Sequence, residues 1–191
     1  MSERIQNVQP KEWNGVKYRS TLEAETAKVL SILKIPFQYE TKIITLQDGF
    51  RCPYQKDKVR ALTYTPDFII DDRILIECKG FETPEWRIKK KLVFKYLQEK
   101  EPNTFFYQIH DSKKDLLQVL DKHWLSLGYA IKVTKKPTKK KEEIVEKLYD
   151  SISVAMKDMG LIKPIGAIMK SLTGDKQWVY GYNWKLNSLK F

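Results

Sequence analysis

Asp67, preceded by Pro66, and the triplet Glu77-Cys78-Lys79 that follows ten residues later are the side chains whose types and spacing could do chemistry. The triplet closes the run Arg73-Ile74-Leu75-Ile76-Glu77-Cys78-Lys79, whose aliphatic content argues for a strand with side chains alternating between two faces. Glu77 and Lys79 then share one face, and Ile74, Ile76 and Cys78 take the other. Phosphodiester hydrolysis needs a hard cation on the scissile phosphate and a water held in line. Mg²⁺ prefers oxygen ligands and keeps several waters, so Asp67 and Glu77 suit it, with the Cys78 main-chain carbonyl as an extra ligand. Lys79 would orient the metal-bound water and share the charge that develops. The plainer alternative makes Asp67 a turn acid, and Glu77 with Lys79 an ion pair on a half-solvated strand.

The elements around these residues bear on that choice. Ser20-Thr21-Leu22-Glu23 opens a helix in which Leu22, Val29, Leu30, Ile32 and Leu33 recur at helical spacing up to Lys34. Glu23 falls near its buried edge and could face the site. The same serine and glutamate also read as a capping box. After Gly80-Phe81, a helix from about Trp86 to Gln98 carries Ile88, Leu92, Val93, Tyr96 and Leu97 on one side. Arg87, Lys91 and Lys95 line the other, a cationic row able to track DNA phosphates or simply to meet solvent. Thr104–Ile109 reads as another strand. Lys113–Leu127 reads as a helix with Leu116, Leu117, Leu120, Trp124 and Leu127 inward. Strands alternating with helices indicate an α/β core.

Taken in order, Ser20-Thr21-Leu22-Glu23, Ile35-Pro36-Phe37-Gln38-Tyr39-Glu40, Tyr64-Thr65-Pro66-Asp67-Phe68, Ile76-Glu77-Cys78-Lys79-Gly80 and Arg87 with Lys89 and Lys90 resemble the phage endonuclease I family of PD-(D/E)xK junction-resolving enzymes over residues 18–130. That resemblance implies that Glu23, Asp67 and Glu77 are the metal-site acids and Lys79 the catalytic lysine. It implies a restriction-endonuclease-like mixed sheet flanked by helices, dependence on Mg²⁺ or Mn²⁺, and a homodimer with exchanged N-terminal elements. The chain departs from the pattern between Glu40 and Tyr64, where a basic stretch, residues 51–60, makes a longer connection.

Composition sets bounds. The net charge of +11 and the pI near 9.4 favour an anionic partner, nucleic acid above all, although a pure binding module would be served equally well. Two cysteines are too few for a zinc ribbon or a disulfide scaffold, and two histidines, His110 and His123, too few for a histidine-rich nuclease site. The N-terminus lacks an apolar leader and no long apolar run occurs, so a cytoplasmic, non-membrane protein is expected.

The expected organisation is an endonuclease domain over 1–133, a basic linker over 134–141 and a small DNA-binding module over 142–191. The linker contains Lys139, Lys140 and Lys141, which could also anchor phosphates. Beyond it, residues 144–148 continue a helical pattern. Asp150–Gly160 and a second helix opened by Pro164 then form a helix-turn-helix candidate, the second helix burying Ile165, Ile168, Met169 and Leu172. Lys163, Gly166, Ala167, Lys170 and Ser171 would face a major groove. An ordinary helical hairpin packed on the larger domain is the competing reading.

Gln177–Leu186 reads as a strand with Trp178, Tyr180, Tyr182 and Trp184 on one face. Together with Ile165–Leu172 and Gly174 it resembles the modular DNA-binding repeat at the C-termini of homing endonucleases. A sequence reader of that kind implies a sequence-specific, homing-type endonuclease. The alternatives are a four-way-junction resolvase and a DNA-binding regulator on an inactive nuclease fold.

Overall fold

The computed structural model describes residues 10–54, 56–138 and 145–189. Lys139, Lys140 and Lys141, the last three residues of the expected linker, lie outside the described residues. The strands are β1 (Lys11–Trp13), β2 (Val16–Tyr18), β3 (Gln38–Tyr39), β4 (Ile44–Gln47), β5 (Phe50–Arg51), β6 (Lys58–Val59), β7 (Leu62–Tyr64), β8 (Phe68–Ile70), β9 (Ile74–Cys78), β10 (Phe105–Ile109), β11 (Tyr129–Lys135), β12 (Glu146–Tyr149) and β13 (Tyr182–Ser188). The helices are α1 (Thr21–Ile32), α2 (Pro84–Lys100), α3 (Lys114–Asp121), α4 (Ile152–Asp158) and α5 (Met169–Leu172), the last preceded by a 3₁₀ turn, Ile165–Ile168. The architecture is mixed α/β. The chain forms two compact units, residues 36–110 and residues 1–35 with 111–191.

In the 36–110 unit a four-stranded sheet runs in the order β10-β9-β8-β3. β8 pairs antiparallel with β9 and β3, and β9 pairs parallel with β10 through the α2 crossover. A parallel pair needs such a crossover because no short hairpin can join its strands. Between β8 and β9, Asp71 and Asp72 adopt positive φ (51° and 53°), which a short acid tolerates better than a branched residue would. Every residue of β9 is buried. Ile69 and Leu75 pack with Ile44, Tyr64, Trp86, Val93 and Leu97 into a core cluster. Leu75 and Glu77 have the same parity on β9, so Glu77 belongs to the sheet face that carries this cluster.

α2 begins at Pro84, two residues before the expected start. Thr83 caps it, its hydroxyl accepting from the Trp86 amide at 3.2 Å, and Pro84 occupies a first-turn position that requires no N–H partner. It buries Trp86, Val93 and Leu97. Ile88, expected inward, is 65% exposed, because Trp86 takes the first-turn contact with the sheet in its place.

In the other unit, β1 and β2 form a hairpin and α1 starts at its Ser20 cap. α1 buries Ala24, Thr26 and Ala27 besides Val29 and Leu30, while Ile32 is exposed. α3 is shorter than expected, ending at Asp121, yet Leu116, Leu117, Leu120, Trp124 and Leu127 are all buried. The antiparallel sheet β12-β11-β13 contains the expected boundary after residue 133: Val133 pairs with Trp184 on one side and Lys147 on the other. The expected helix over 144–148 is strand β12 from Glu146 onward, because pairing with β11 supplies its backbone with partners. The expected aromatic strand is interrupted. Tyr180 and Gly181 take positive φ (55° and 81°) in a tight turn, bridged by mutual Val179 and Tyr182 backbone bonds, and only Tyr182 and Trp184 continue on β13.

Candidate active site

Asp67 lies just before β8, and its Oδ2 accepts the Cys78 amide at 2.6 Å, so its carboxylate sits on the peptide that links Glu77 to Cys78. Glu77 is 6% exposed. Its Oε2 accepts the Tyr64 hydroxyl at 3.0 Å and its Oε1 stands 3.6 Å from the Lys79 ammonium. Lys79 in turn lies over the Trp86 ring, 4.8 Å from its centroid. Asp67, Glu77 and Lys79 are therefore brought together at the C-terminal end of β9, as the two-residue spacing on one strand face requires.

Burial dominates the electrostatics of the acid. It pushes the Glu77 carboxyl above the usual carboxylate range, opposed by the Tyr64 hydrogen bond and by the charges of Lys79 and Lys89. The Tyr64 phenol is raised by its own burial and by the Glu77 carboxylate, so it is a fixed neutral donor. Lys89 lies 6.0 Å from the centroid of the Tyr64 ring. Tyr64, Trp86 and Lys89 thus surround the site, although the sequence reading gave none of them a role in it. The signal for Tyr64 was its place three residues before Asp67 on a neighbouring strand end, and for Trp86 its position in the first turn of the crossover helix.

On β10, Gln108 is the register partner of Glu77. Its Oε1 accepts from Trp86 Nε1 at 2.9 Å and Lys90 Nζ at 3.2 Å, and its Nε2 contacts His110 Nε2 at 3.2 Å. Lys90 also pairs with Glu82.

Glu23 belongs to the other unit. It is buried and completes the capping box: Ser20 Oγ donates to Oε1 at 2.7 Å, the Arg19 amide donates to Oε2 at 3.0 Å, and Ser20 Oγ accepts the Glu23 amide at 3.2 Å.

Asp67 and Glu77 are hard oxygen donors, one of them buried, beside a cation that offsets their crowding; this chemistry fits Mg²⁺, which takes one or two carboxylates and keeps its waters. The Cys78 thiol is not in that set, because its side chain takes the opposite strand face. Among the described residues no group of three or more His, Cys, Asp or Glu side chains is arranged to hold a metal ion.

The expected DNA-binding residues divide. Arg87, Lys91 and Lys95 are exposed along α2, Arg87 with Glu82 at 3.7 Å and Lys95 with Glu99 at 3.9 Å. Lys163 and Lys170 are exposed. Ser171 is not on a groove-facing surface. It is buried, its Oγ accepting the Trp184 amide at 3.0 Å, because it is the residue that ties α5 to β13. Gly166 packs against Lys114 of α3, where an added Cβ would come within 3.3 Å of the Lys114 Cβ. Asp121, the last residue of α3, accepts the Ile152 and Ser153 amides at 2.5 and 3.1 Å, which binds α4 to α3. The C-terminal helices are thus packed on α3.

No helix among the described residues is long and apolar enough to cross a membrane. Comparison with curated proteins and with solved structures returned no match. The family model described as phage endonuclease I matches residues 5–118, a span that holds Glu23, Asp67, Glu77 and Lys79. The chain belongs to the phage endonuclease I family of nucleases.

Proposed function

We propose that this protein is a divalent-metal-dependent DNA endonuclease of the PD-(D/E)xK type that resolves branched DNA. The observation that carries the reading is the seating of the Asp67 carboxylate on the Glu77–Cys78 peptide, with Lys79 3.6 Å from Glu77, in a chain of the phage endonuclease I family. Asp67, Glu77 and the Cys78 carbonyl hold Mg²⁺ or Mn²⁺. Bound there, the ion supplies Lewis-acid polarisation of the scissile phosphate and a water of lowered pKa. Tyr64 keeps Glu77 oriented. Lys79 donates to the attacking water or to a non-bridging phosphate oxygen, and the Trp86 ring beneath it holds the ammonium in place. Arg87, Lys91 and Lys95 grip the backbone of one DNA arm. By family membership the enzyme works as a homodimer on DNA.

A preference for branched DNA over a long specific sequence is supported by the C-terminal helices. Ser171 and Gly166, two of the residues that would have read a major groove, are occupied in packing. The homing-type reading keeps Lys163, Ala167 and Lys170 of its reading face. Purified protein with Mg²⁺, given a four-way junction, its arms as linear duplex and the DNA flanking its own gene, separates the two. Junction cutting far above both duplexes is expected; position-specific cutting of the flanking DNA alone selects homing, and no Mg²⁺-dependent cutting of any of them refutes the endonuclease.

A further inference from the structure

Gln108 interrupts an otherwise aromatic and aliphatic strand, Phe105-Phe106-Tyr107-Gln108-Ile109, directly opposite Glu77. Its amide orientation is fixed by its partners. The indole N–H of Trp86 and the ammonium of Lys90 can only donate, so the end they meet is the oxygen, and the Nε2 end donates to His110. Trp86 is buried, and its ring carries Lys79 on one side while its indole N–H is held by Gln108. A ring under a cation works only while its face is turned to that cation, since the attraction comes from the quadrupole normal to the plane. One hydrogen bond therefore sets where the Lys79 ammonium rests beside Glu77. We propose that Gln108 is a positioning residue for Lys79, acting through Trp86, in the endonuclease site inferred above, on which reading its catalytic consequence rests.

Gln108→Met keeps length and volume and removes the acceptor. Two measurements on the full-length protein decide the matter. By NMR, the ε-methylene protons of Lys79 are expected upfield in the parent protein from the ring current of Trp86, and to move toward the free-lysine position in Q108M. In single-turnover cleavage of a four-way junction with Mg²⁺, kcat should fall between about tenfold and a hundredfold, the scale of a small misplacement of a reacting group, while KM stays unchanged. Trp86→Phe, which keeps a ring but loses the N–H, should cost a similar factor, and the double variant no more than the larger single loss. If Q108M does not fold, Gln108→Asn, which keeps an amide one methylene too short, gives the same two readings.

An unmoved Lys79 resonance in the folded variant overturns the proposal. So does a raised KM with unchanged kcat, which would mean that Gln108 serves Lys90 in holding DNA. Should the parent protein cut no DNA, the functional reading falls, and the resonance still decides whether Gln108 positions Lys79.

Discussion

The carboxylate of Asp67 and the amide of Cys78 meet at 2.6 Å, joining the end of one strand approach to the middle of the chemical triplet on the next. A loop acid eleven residues away is thereby fixed beside Glu77 by the backbone of Glu77's own strand. Replacing Asp67 with Asn leaves an oxygen able to accept that amide but removes the charge. Mg²⁺-dependent nicking should drop by more than about a hundredfold while junction binding in Ca²⁺ or EDTA is retained, read by gel shift and single-turnover cleavage. Unimpaired nicking would remove Asp67 from the metal site.

Glu77 makes the metal-free protein sensitive to pH in a defined direction. Its folded carboxyl is raised above its unfolded value, which is about 4.3 for glutamate. The folded state therefore holds the proton more tightly. Its contribution to stability is fully present below the unfolded value and is lost as pH rises through the raised folded value. Glu77→Gln should remove this dependence. The metal-free variant should gain in urea midpoint relative to the parent protein as pH goes from 4 to 7, and should not nick DNA. A parent-to-variant difference that stays flat over that window would show that burial does not outweigh the partners of the Glu77 carboxylate.

Tyr64→Phe keeps the ring contacts with Trp86 and Phe106 and deletes the donor to Glu77. Loss of one partner of a buried charged acceptor costs about 1–3 kcal/mol, measurable by urea unfolding. Because that bond opposes the rise of the Glu77 carboxyl, its loss raises the carboxyl further. The acid limb of Mg²⁺-dependent cleavage should move to higher pH, and a limb that stays in place would show that Glu77 does not hold the ion.

Simultaneous Arg87→Ala, Lys91→Ala and Lys95→Ala should weaken DNA binding without regard to sequence. If all three meet phosphates, the slope of log K against log salt should fall by about 2.7, at about 0.9 per contact. Fluorescence anisotropy at several salt concentrations measures it. An unchanged slope would make the row a solvated helix face.

Ser171→Ala should unfold more readily, by about 1–3 kcal/mol, since the buried Trp184 amide loses its acceptor. DNA affinity measured on the folded variant should not change. Weaker binding with unaltered stability would return Ser171 to the DNA-contacting surface.

Local chemistry was readable wherever a residue's role depends on its near neighbours. The parity of Glu77 and Lys79 on one strand face, the Ser20 cap and Glu23 reach-back, the buried leucines of α3 and the exposed basic row of α2 all follow from side-chain period and short-range hydrogen bonding. What sequence alone could not decide is what covers a given face. Ile88 and Ile32 have core-type side chains but meet solvent, Ile88 because Trp86 takes the first-turn contact of its helix.

The C-terminal part shows the same limit more sharply. The helical pattern over residues 144–148 gives way to a strand, Glu146–Tyr149, since β11 offers it a ladder that no isolated segment has. Tyr180-Gly181 turns where alternation of aromatics suggested a continuous strand, and the Tyr180 hydroxyl on the Pro164 carbonyl at 3.0 Å helps hold that turn. Strand spacing and helix caps are fixed within a few residues of chain. The Tyr64–Glu77 bond, the Gln108–Trp86 bond and the burial of Ser171 join residues 13, 22 and 13 positions from their partners, and only the folded packing could bring them into contact.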